Sequence, residues 1–311
     1  VETPLLQLEA GGAAARPFVT RFNAYQLDVK LRISLELYLK RILCGDVPRV
    51  YEIGRVFRNE GISNRHNPEF TLLEFYEAYA DLETMMLRVE ECFRFVTEDL
   101  SLPSVGVDFG KPWHRLDLLT AIESHTGLVA DDFASLDSAK SAFAANQVAE
   151  KAHSIGGHIQ IEKESNLGGL IEKLLEVFVE PTLQEPTFVV GYPIETSPLA
   201  KKDPNRPGFT RRFEGYVLGR EVCNAFSEIN DPIDQRERFE QQLSERAKGD
   251  DEAHPMDEEF LFALECGMPP TGGCGIGMDR MAMLLTGADH IREVLMFPMM
   301  RPGPSSPTSG G

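Results

Sequence analysis

Two arginines stand out for the company they keep. Arg58 opens Phe57-Arg58-Asn59-Glu60-Gly61, which runs on through Arg65-His66-Asn67-Pro68-Glu69-Phe70, and Arg280 closes Gly275-Ile276-Gly277-Met278-Asp279-Arg280. A guanidinium held among apolar residues is costly unless a carboxylate or phosphate fills its fork. Either arginine alone would be explained by a surface ion pair. The two together, among acids, aromatics and glycines, point to a site for a polyanionic nucleotide.

A second group is acidic. Glu36 lies within Leu35-Glu36-Leu37-Tyr38, and Glu74 shares strand parity with Tyr76 in Leu73-Glu74-Phe75-Tyr76. In Glu221-Val222-Cys223-Asn224-Ala225-Phe226-Ser227-Glu228, alternation puts Asn224, Phe226 and Glu228 on one strand face. A lone carboxylate in an apolar run costs several kcal/mol to desolvate, so each needs a cation. With few lysines near them, a cationic ligand is the expected partner of Glu36, Glu74 and Glu228; pairing with Arg32, Arg41 or Arg55 is the competing expectation. Glu221 is out of phase and reaches the same cavity only if a bulge falls near Val222. With Glu214 on the neighbouring strand it could hold magnesium against phosphate oxygens, or both could be solvated acids on a sheet edge.

The glycines of Gly272-Gly273-Cys274-Gly275-Ile276-Gly277 lack GxGxxG spacing, and no GxxxxGK[ST] occurs. Small residues there let a ligand lie flat on a strand with Arg280 aimed at its phosphates. Cys274 reads as a packing residue.

The elements follow from hydrophobic period. Val50 to Phe57 and Phe70 to Tyr79 read as the arms of a long hairpin. Strand gives way to helix between Leu31 and Ile42, a helix runs from Asp81 to about Leu100, and helices follow near 117–126, 137–153 and 167–179. Strands return at Thr187 to Val190 and Phe213 to Glu228. An acidic helix and loop, Asp231 to Glu259, precede the glycine-rich strand and a helix from Asp279 to Leu285. This order favours an α+β fold, an antiparallel sheet flanked by helices, over a doubly wound parallel one. A helical insertion is expected over about 112–182, within a domain spanning 1–300, and the Pro, Ser and Gly-rich tail 301–311 is expected to be disordered.

The 311 residues carry a formal charge of -18, so long-range steering repels a polyphosphate and any nucleic-acid contact must be local. A separate basic module outside this chain would reconcile that charge with a nucleic-acid substrate. Five cysteines without a CxxC pair argue against a disulfide framework, and scattered histidines give zinc little support. No apolar run reaches membrane-spanning length. Val1 follows neither an initiator methionine nor a signal-like pattern, so the chain reads as a fragment.

FRNEGISNRHNPEF resembles the second signature motif of the class II aminoacyl-tRNA synthetases, GCGIGMDR the third, and Val1-Glu2-Thr3-Pro4 the end of the first. GGAAARPF, ELYLKR, LLEFYEAYAD, SPLAKK and REVCNAFSEIND are similar to the lysine-specific members. The aspartyl and asparaginyl enzymes are the near alternatives, but Glu36, Tyr76 and Glu228 suit a cationic side chain better. The resemblance implies a lysine–tRNA ligase that uses ATP with Mg2+, L-lysine and tRNA(Lys), works in the cytoplasm or an organelle, and is homodimeric when complete. It implies that Arg58 grips the amino acid carboxylate and the α-phosphate, and Arg280 the γ-phosphate end. Phe70 would stack under adenine with Arg280 above. Glu60, His66 and Asn67 would order the loop over ATP, and Glu214 and Glu221 would hold the metal. Glu36 and Gly12 would receive the α-ammonium, Asn224 the carboxylate, Tyr76 and Glu228 the ε-ammonium backed by Glu74, while Phe226 and Gly275 line the slot. The long helix of the first motif and an amino-terminal anticodon-binding barrel are expected outside this chain. A freestanding relative that lysylates a protein or lipid, and a catalytically silent binding module, are the rival expectations.

Overall fold

The computed structural model describes residues 1–99 and 106–300. Strands β1 (Leu6–Gln7), β2 (Val19–Phe22) and β3 (Leu27–Leu31) form a small sheet, β1-β3-β2, and α1 (Glu36–Cys44) follows, which resolves the strand-to-helix change between Leu31 and Ile42. The expected hairpin is β4 (Arg49–Phe57) and β5 (Glu69–Ala78), paired from Arg49↔Glu77 to Phe57↔Glu69. Next come α2 (Leu82–Asp99), β6 (His114–Asp117), α3 (Leu118–Thr126), α4 (Leu136–Ala145), α5 (Val148–Ser154) and α6 (Leu167–Leu174). The chain then returns through β7 (Thr187–Val190), β8 (Arg212–Val217) and β9 (Arg220–Ser227) to α7 (Pro232–Ala247), α8 (Glu258–Cys266), β10 (Thr271–Gly277) and α9 (Met278–Thr286). The tail expected from Arg301 lies outside the described residues.

The main sheet has the order β4-β5-β10-β9-β8-β7-β6, and every neighbouring pair is antiparallel except β6 with β7. The α+β expectation therefore holds, with one parallel edge pair. Two local readings change, and the neighbouring strands expected from Phe213 to Glu228 gain their turn. The helix expected over 137–153 is two helices, because Gln147 takes a left-handed φ of 53° between them. The run from Phe213 to Glu228 is a hairpin whose turn, Leu218-Gly219, has φ of 51° and 66°, the positive pair that suits the twist of adjoining strands. β6, inside the segment expected as a helical insertion, belongs to the main sheet.

Side-chain alternation divides the sheet's two faces. Ala225, Cys223, Cys274 and Ile276 point to one side and pack under Met85, Val89 and Phe93 of α2 and Met281 of α9. Cys274 is thus a packing residue, as its setting suggested. The other face meets α1, whose Leu35 (its N-cap), Leu39 and Leu43 pack with Val50, Val56 and Tyr76. Phe260, Leu261 and Leu264 of α8, with Phe239 of α7, close that side through Leu37. Helices α3 to α6 hold a core of their own, including Ile122, Phe143, Leu170 and Leu174, joined to the sheet at Val189 and Tyr216. Among the described residues no helix is long and apolar enough to cross a membrane.

Candidate active site

Register builds the site. Two rows of residues cross the strands side by side: Tyr76, Gly273, Phe226 and Arg212 in one, and Glu74, Gly275, Asn224 and Glu214 in the next. Period-two alternation puts both rows on the α1 side of the sheet. The central strand β10 contributes only glycine to each row, so the floor is a backbone trough walled by functional side chains. Above it lies a cavity of about 470 Å³, and all the site residues singled out in the sequence line it: Gly12, Glu36, Arg58, Glu60, His66, Asn67, Phe70, Glu74, Tyr76, Glu214, Glu221, Asn224, Phe226, Glu228, Gly275 and Arg280.

The bulge that Glu221 needed exists. Gly215 pairs with Cys223 and Tyr216 with Glu221, which leaves Val222 as the extra residue on β9. Glu221 thereby turns toward the cavity beside Glu214. Both acids are already engaged. Arg280 donates to Oε2 of Glu221 at 2.7 Å, while Glu214 accepts from Arg212, from Tyr192 at 2.9 Å and from Tyr216. Burial pulls the Glu221 carboxyl upward, but Arg280, Arg212 and Arg58 outweigh it and hold it below its ordinary value. Among the described residues no three His, Cys, Asp or Glu side chains are grouped to hold a metal. Two hard carboxylate donors suit magnesium when phosphate and water complete its shell.

At the guanidinium end, Arg58 lies half-buried over the Phe70 ring, 5.2 Å from its centroid, and Nε donates to the Ile33 carbonyl. The ring expected to stack under adenine therefore carries Arg58. Arg280 instead bridges Glu221 and Nε2 of His66, whose Nδ1 contacts Ser63 at 2.8 Å. Burial and the Arg280 charge push the His66 imidazole down, and its Nε2 accepts a hydrogen bond from Arg280. Asn67 donates to the Glu69 carbonyl and leaves its buried Oδ1 without a partner, while Glu60 is exposed at the mouth.

At the acidic end one expectation is overturned. Glu36 and Glu228 are paired with a cation of the chain itself: Lys40 Nζ donates to Oε1 of Glu36 at 2.9 Å and to Oε2 of Glu228 at 2.6 Å. Lys40 is 0% exposed. It stands four residues after Glu36 on α1, a spacing that brings two helical side chains together and could have been read from ELYLK. The competing partners are engaged elsewhere: Arg32 with Glu52 at 2.7 Å, Arg41 with Glu259 at 3.0 Å and Arg55 with Glu69 at 3.8 Å. Yet Lys40 does not exhaust the acids. Among the described residues Oε1 of Glu228 is buried without a hydrogen-bond partner, and Glu74 has no cationic partner: it accepts from Ser34 at 2.9 Å, the Leu35 N–H and the Tyr76 hydroxyl at 3.0 Å. Three carboxylates meet one ammonium, and room for a ligand remains.

Two further residues escaped the sequence reading. Arg212 donates Nε–H to Oδ1 of Asn224 at 3.0 Å, which turns the Asn224 amide NH2 away from it. Its position two residues before Glu214, on the same strand face, was the available signal. His254, on the loop before α8, accepts the Gly12 N–H at Nε2 over 2.8 Å. Burial lowers it to about 4, and its Nδ1–H donates to the Pro255 carbonyl, so it is neutral at physiological pH. Nothing in local sequence joins position 254 to position 12.

The family model for tRNA synthetases class II (D, K and N) matches residues 1–301. The chain belongs to the class II tRNA synthetases. Among curated members of this class II family, the lysine–tRNA ligase of Moorella thermoacetica is 52% identical over 308 residues, covering 97% of this chain and 61% of that protein. That of Enterococcus faecalis is 50% identical, covering 97% of this chain and 59% of its own length. The chain therefore spans about three fifths of these synthetases.

The charge of Glu74 has a consequence for stability. Burial, then the neighbouring Glu36 charge, raises its carboxyl to about 7 from an ordinary 4.5. A carboxyl raised on folding binds more protons in the native state, so its stabilisation is complete below about pH 4.5 and is lost as pH rises through about 7. Without ligand, Glu74→Gln is expected to hold its melting temperature between pH 5 and 8 better than the parent chain, by the share of a penalty of about 3 kcal/mol. Parallel melting curves for the two proteins across that range would refute it.

Proposed function

We propose that the chain is the catalytic core of a lysine–tRNA ligase: it activates L-lysine with ATP to lysyl adenylate, releasing pyrophosphate, and passes the lysyl group to the 3′-terminal ribose hydroxyl of tRNA(Lys). The observation that carries this is one cavity with Arg58 and Arg280 at one end and Glu228, its free oxygen buried, at the other, joined by a glycine floor. The names and 50–52% identity of the relatives support the same reading.

The first step needs no protein base. A lysine carboxylate oxygen attacks the α-phosphorus in line as the bond to pyrophosphate breaks, so the site's work is to hold two anions together and to spread the charge that develops. Arg58 would bridge the lysine carboxylate and the α-phosphate, and the Asn224 amide, turned by Arg212, would offer its N–H groups to the carboxylate. Arg280 would exchange Glu221 for the γ-phosphate end, with Glu60, His66 and Asn67 closing over the nucleotide and adenine resting on Phe70. Glu214 and Glu221 would hold magnesium, which neutralises phosphate charge when bound. Glu36 and the Gly12 carbonyl would receive the α-ammonium; Tyr76 and Glu228, backed by Glu74, the ε-ammonium; Phe226 and Gly275 border the aliphatic stem. The five cysteines are free thiols and suit a reducing compartment, the cytoplasm. Exposed Leu6, Leu8, Tyr51 and Ile53 around the outer edge of β4 suit a homodimer of the complete protein.

Pyrophosphate exchange across the twenty amino acids plus ornithine tests the reading. Leucine or methionine would leave Oε1 of Glu228 buried without a partner, at about 1–3 kcal/mol or more for a charged group, and should support no exchange. Ornithine, one methylene short, loses only about 1–3 kcal/mol and should be the leaky competitor. Exchange driven best by aspartate or asparagine would overturn the assignment.

A further inference from the structure

Lys40 has no role in the reading above, yet it is the most completely buried cation beside the cavity. Its ammonium reaches Glu36 on its own helix and Glu228 at the end of β9, and faces the rings of Phe260 at 5.2 Å and Phe226 at 5.9 Å. The other groups turned toward this corner are Glu74 and Tyr76 from β5 and neutral His254 from the loop before α8. Burial alone would lower the Lys40 ammonium, but Glu228 and Glu36 outweigh it and keep it protonated. It approaches the two carboxylates from behind the cavity wall, and on Glu228 it takes one oxygen while the other stays buried and unpartnered.

We propose that Lys40 is a positioning residue and fixed counter-ion that ties one oxygen of Glu36 and one of Glu228 to a single ammonium, and leaves the remaining carboxyl oxygens of this corner to a substrate bearing two ammonium groups. This deepens, and rests on, the reading of the site as one for lysine. Burial raises all three carboxyls of the corner, Glu74 to about 7 and Glu228 to about 8, while Lys40 lowers Glu36 and Glu228 against it; without this counter-ion they would keep their protons to higher pH, and the substrate would have to expel more of them to bind. The tie also fixes geometry. Both acids share one ammonium, so their remaining oxygens are held at a set separation, against which the spacing of the substrate's two amines is read.

The test has two arms. At pH 8, calorimetric titration of lysine in two buffers of different ionisation enthalpy is expected to show Lys40→Met releasing more protons per lysine bound than the parent chain, because Lys40 lowers the carboxyls of Glu36 and Glu228 against their burial. Equal release from the two proteins would overturn the proposal. In the second arm, Lys40→Met should raise the KM for lysine at pH 7 at least about 100-fold in pyrophosphate exchange, leave the KM for ATP within about two-fold, and make the lysine KM fall more steeply than the parent's as pH rises from 7 to 9. Lys40→Arg, which keeps the charge, should restore the parent profile. A purely structural role would shift both substrates together with no pH dependence; a parent-like lysine KM and profile in Lys40→Met would equally sink the proposal. Should Lys40→Met fail to fold, Lys40→Gln carries the same expectations in both arms, and loss of folding in both variants would overturn the proposal in favour of a purely structural role. The outcomes also separate the two claims: a parent chain that prefers another amino acid refutes the reading of the site, whereas normal lysine exchange with an indifferent Lys40 refutes only this role.

Discussion

Glu228→Gln is expected to cut lysine-dependent pyrophosphate exchange by about 10²- to 10³-fold while ATP binds with near-parent affinity. The reasoning is local. Glu228 is 1% exposed, with Oε2 on Lys40 and Oε1 buried without a partner. Burial drives its carboxyl upward, and Lys40 opposes that rise. An amide keeps the shape but removes the charge, so an ε-ammonium entering this corner would be desolvated without its counter-ion. Breaking a buried pair by removing one partner costs roughly 3–5 kcal/mol, and each 1.4 kcal/mol is about tenfold. The loss should appear in kcat/KM for lysine. Calorimetric titration of ATP separates it from collapse of the site, because Arg58 and Arg280 stand at the far end of the cavity. Lysine exchange within a few-fold of the parent would show that Glu228 does not meet the substrate's side chain.

How much of this was legible in the sequence depends on the range of the interaction that decides each feature. The hairpin of β4 and β5, the glycine strand and the helices were readable because period and turn chemistry act over a few residues. The bulge at Val222 was required by parity once Glu221 and Asn224 were asked to share a cavity, and the strand register supplies it. The helix break at Gln147 left no such mark, since a non-glycine residue in the left-handed region carries no sequence signal. Lys40 is the instructive miss. Its spacing from Glu36 was in plain view, but its partnership with Glu228, 188 positions away, is a tertiary fact that only the packing of α1 against the end of β9 creates. His254 is the opposite case, a contact across 242 positions with no local trace. The sequence told which residues face the cavity, and packing told which of them were already neutralised.

The glycine floor makes the second large prediction, through two substitutions that differ in position by a single strand repeat. A methyl group at Gly273 would collide with Oε1 of Glu228 and with Cε1 of Tyr76. Neither neighbour is free to yield: Glu228 is tied to Lys40, and the Tyr76 hydroxyl donates to Glu74 at 3.0 Å. Gly273→Ala must therefore distort the acidic corner, at about 1–3 kcal/mol or more of stability, and should abolish lysine activation. At Gly275 the added methyl would meet only Cγ of Glu74, at 3.6 Å, an ordinary contact. Gly275→Ala should fold with an unchanged melting temperature, because the methyl enters the cavity and not the protein. It should still weaken lysine activation, since that space is where the substrate's stem would lie between Glu74 and Asn224. Melting curves with pyrophosphate exchange on the two variants read the difference directly. If both melt like the parent and both activate lysine, the trough is not the substrate's bed; if Gly275→Ala alone unfolds, the register that builds the two rows is wrong.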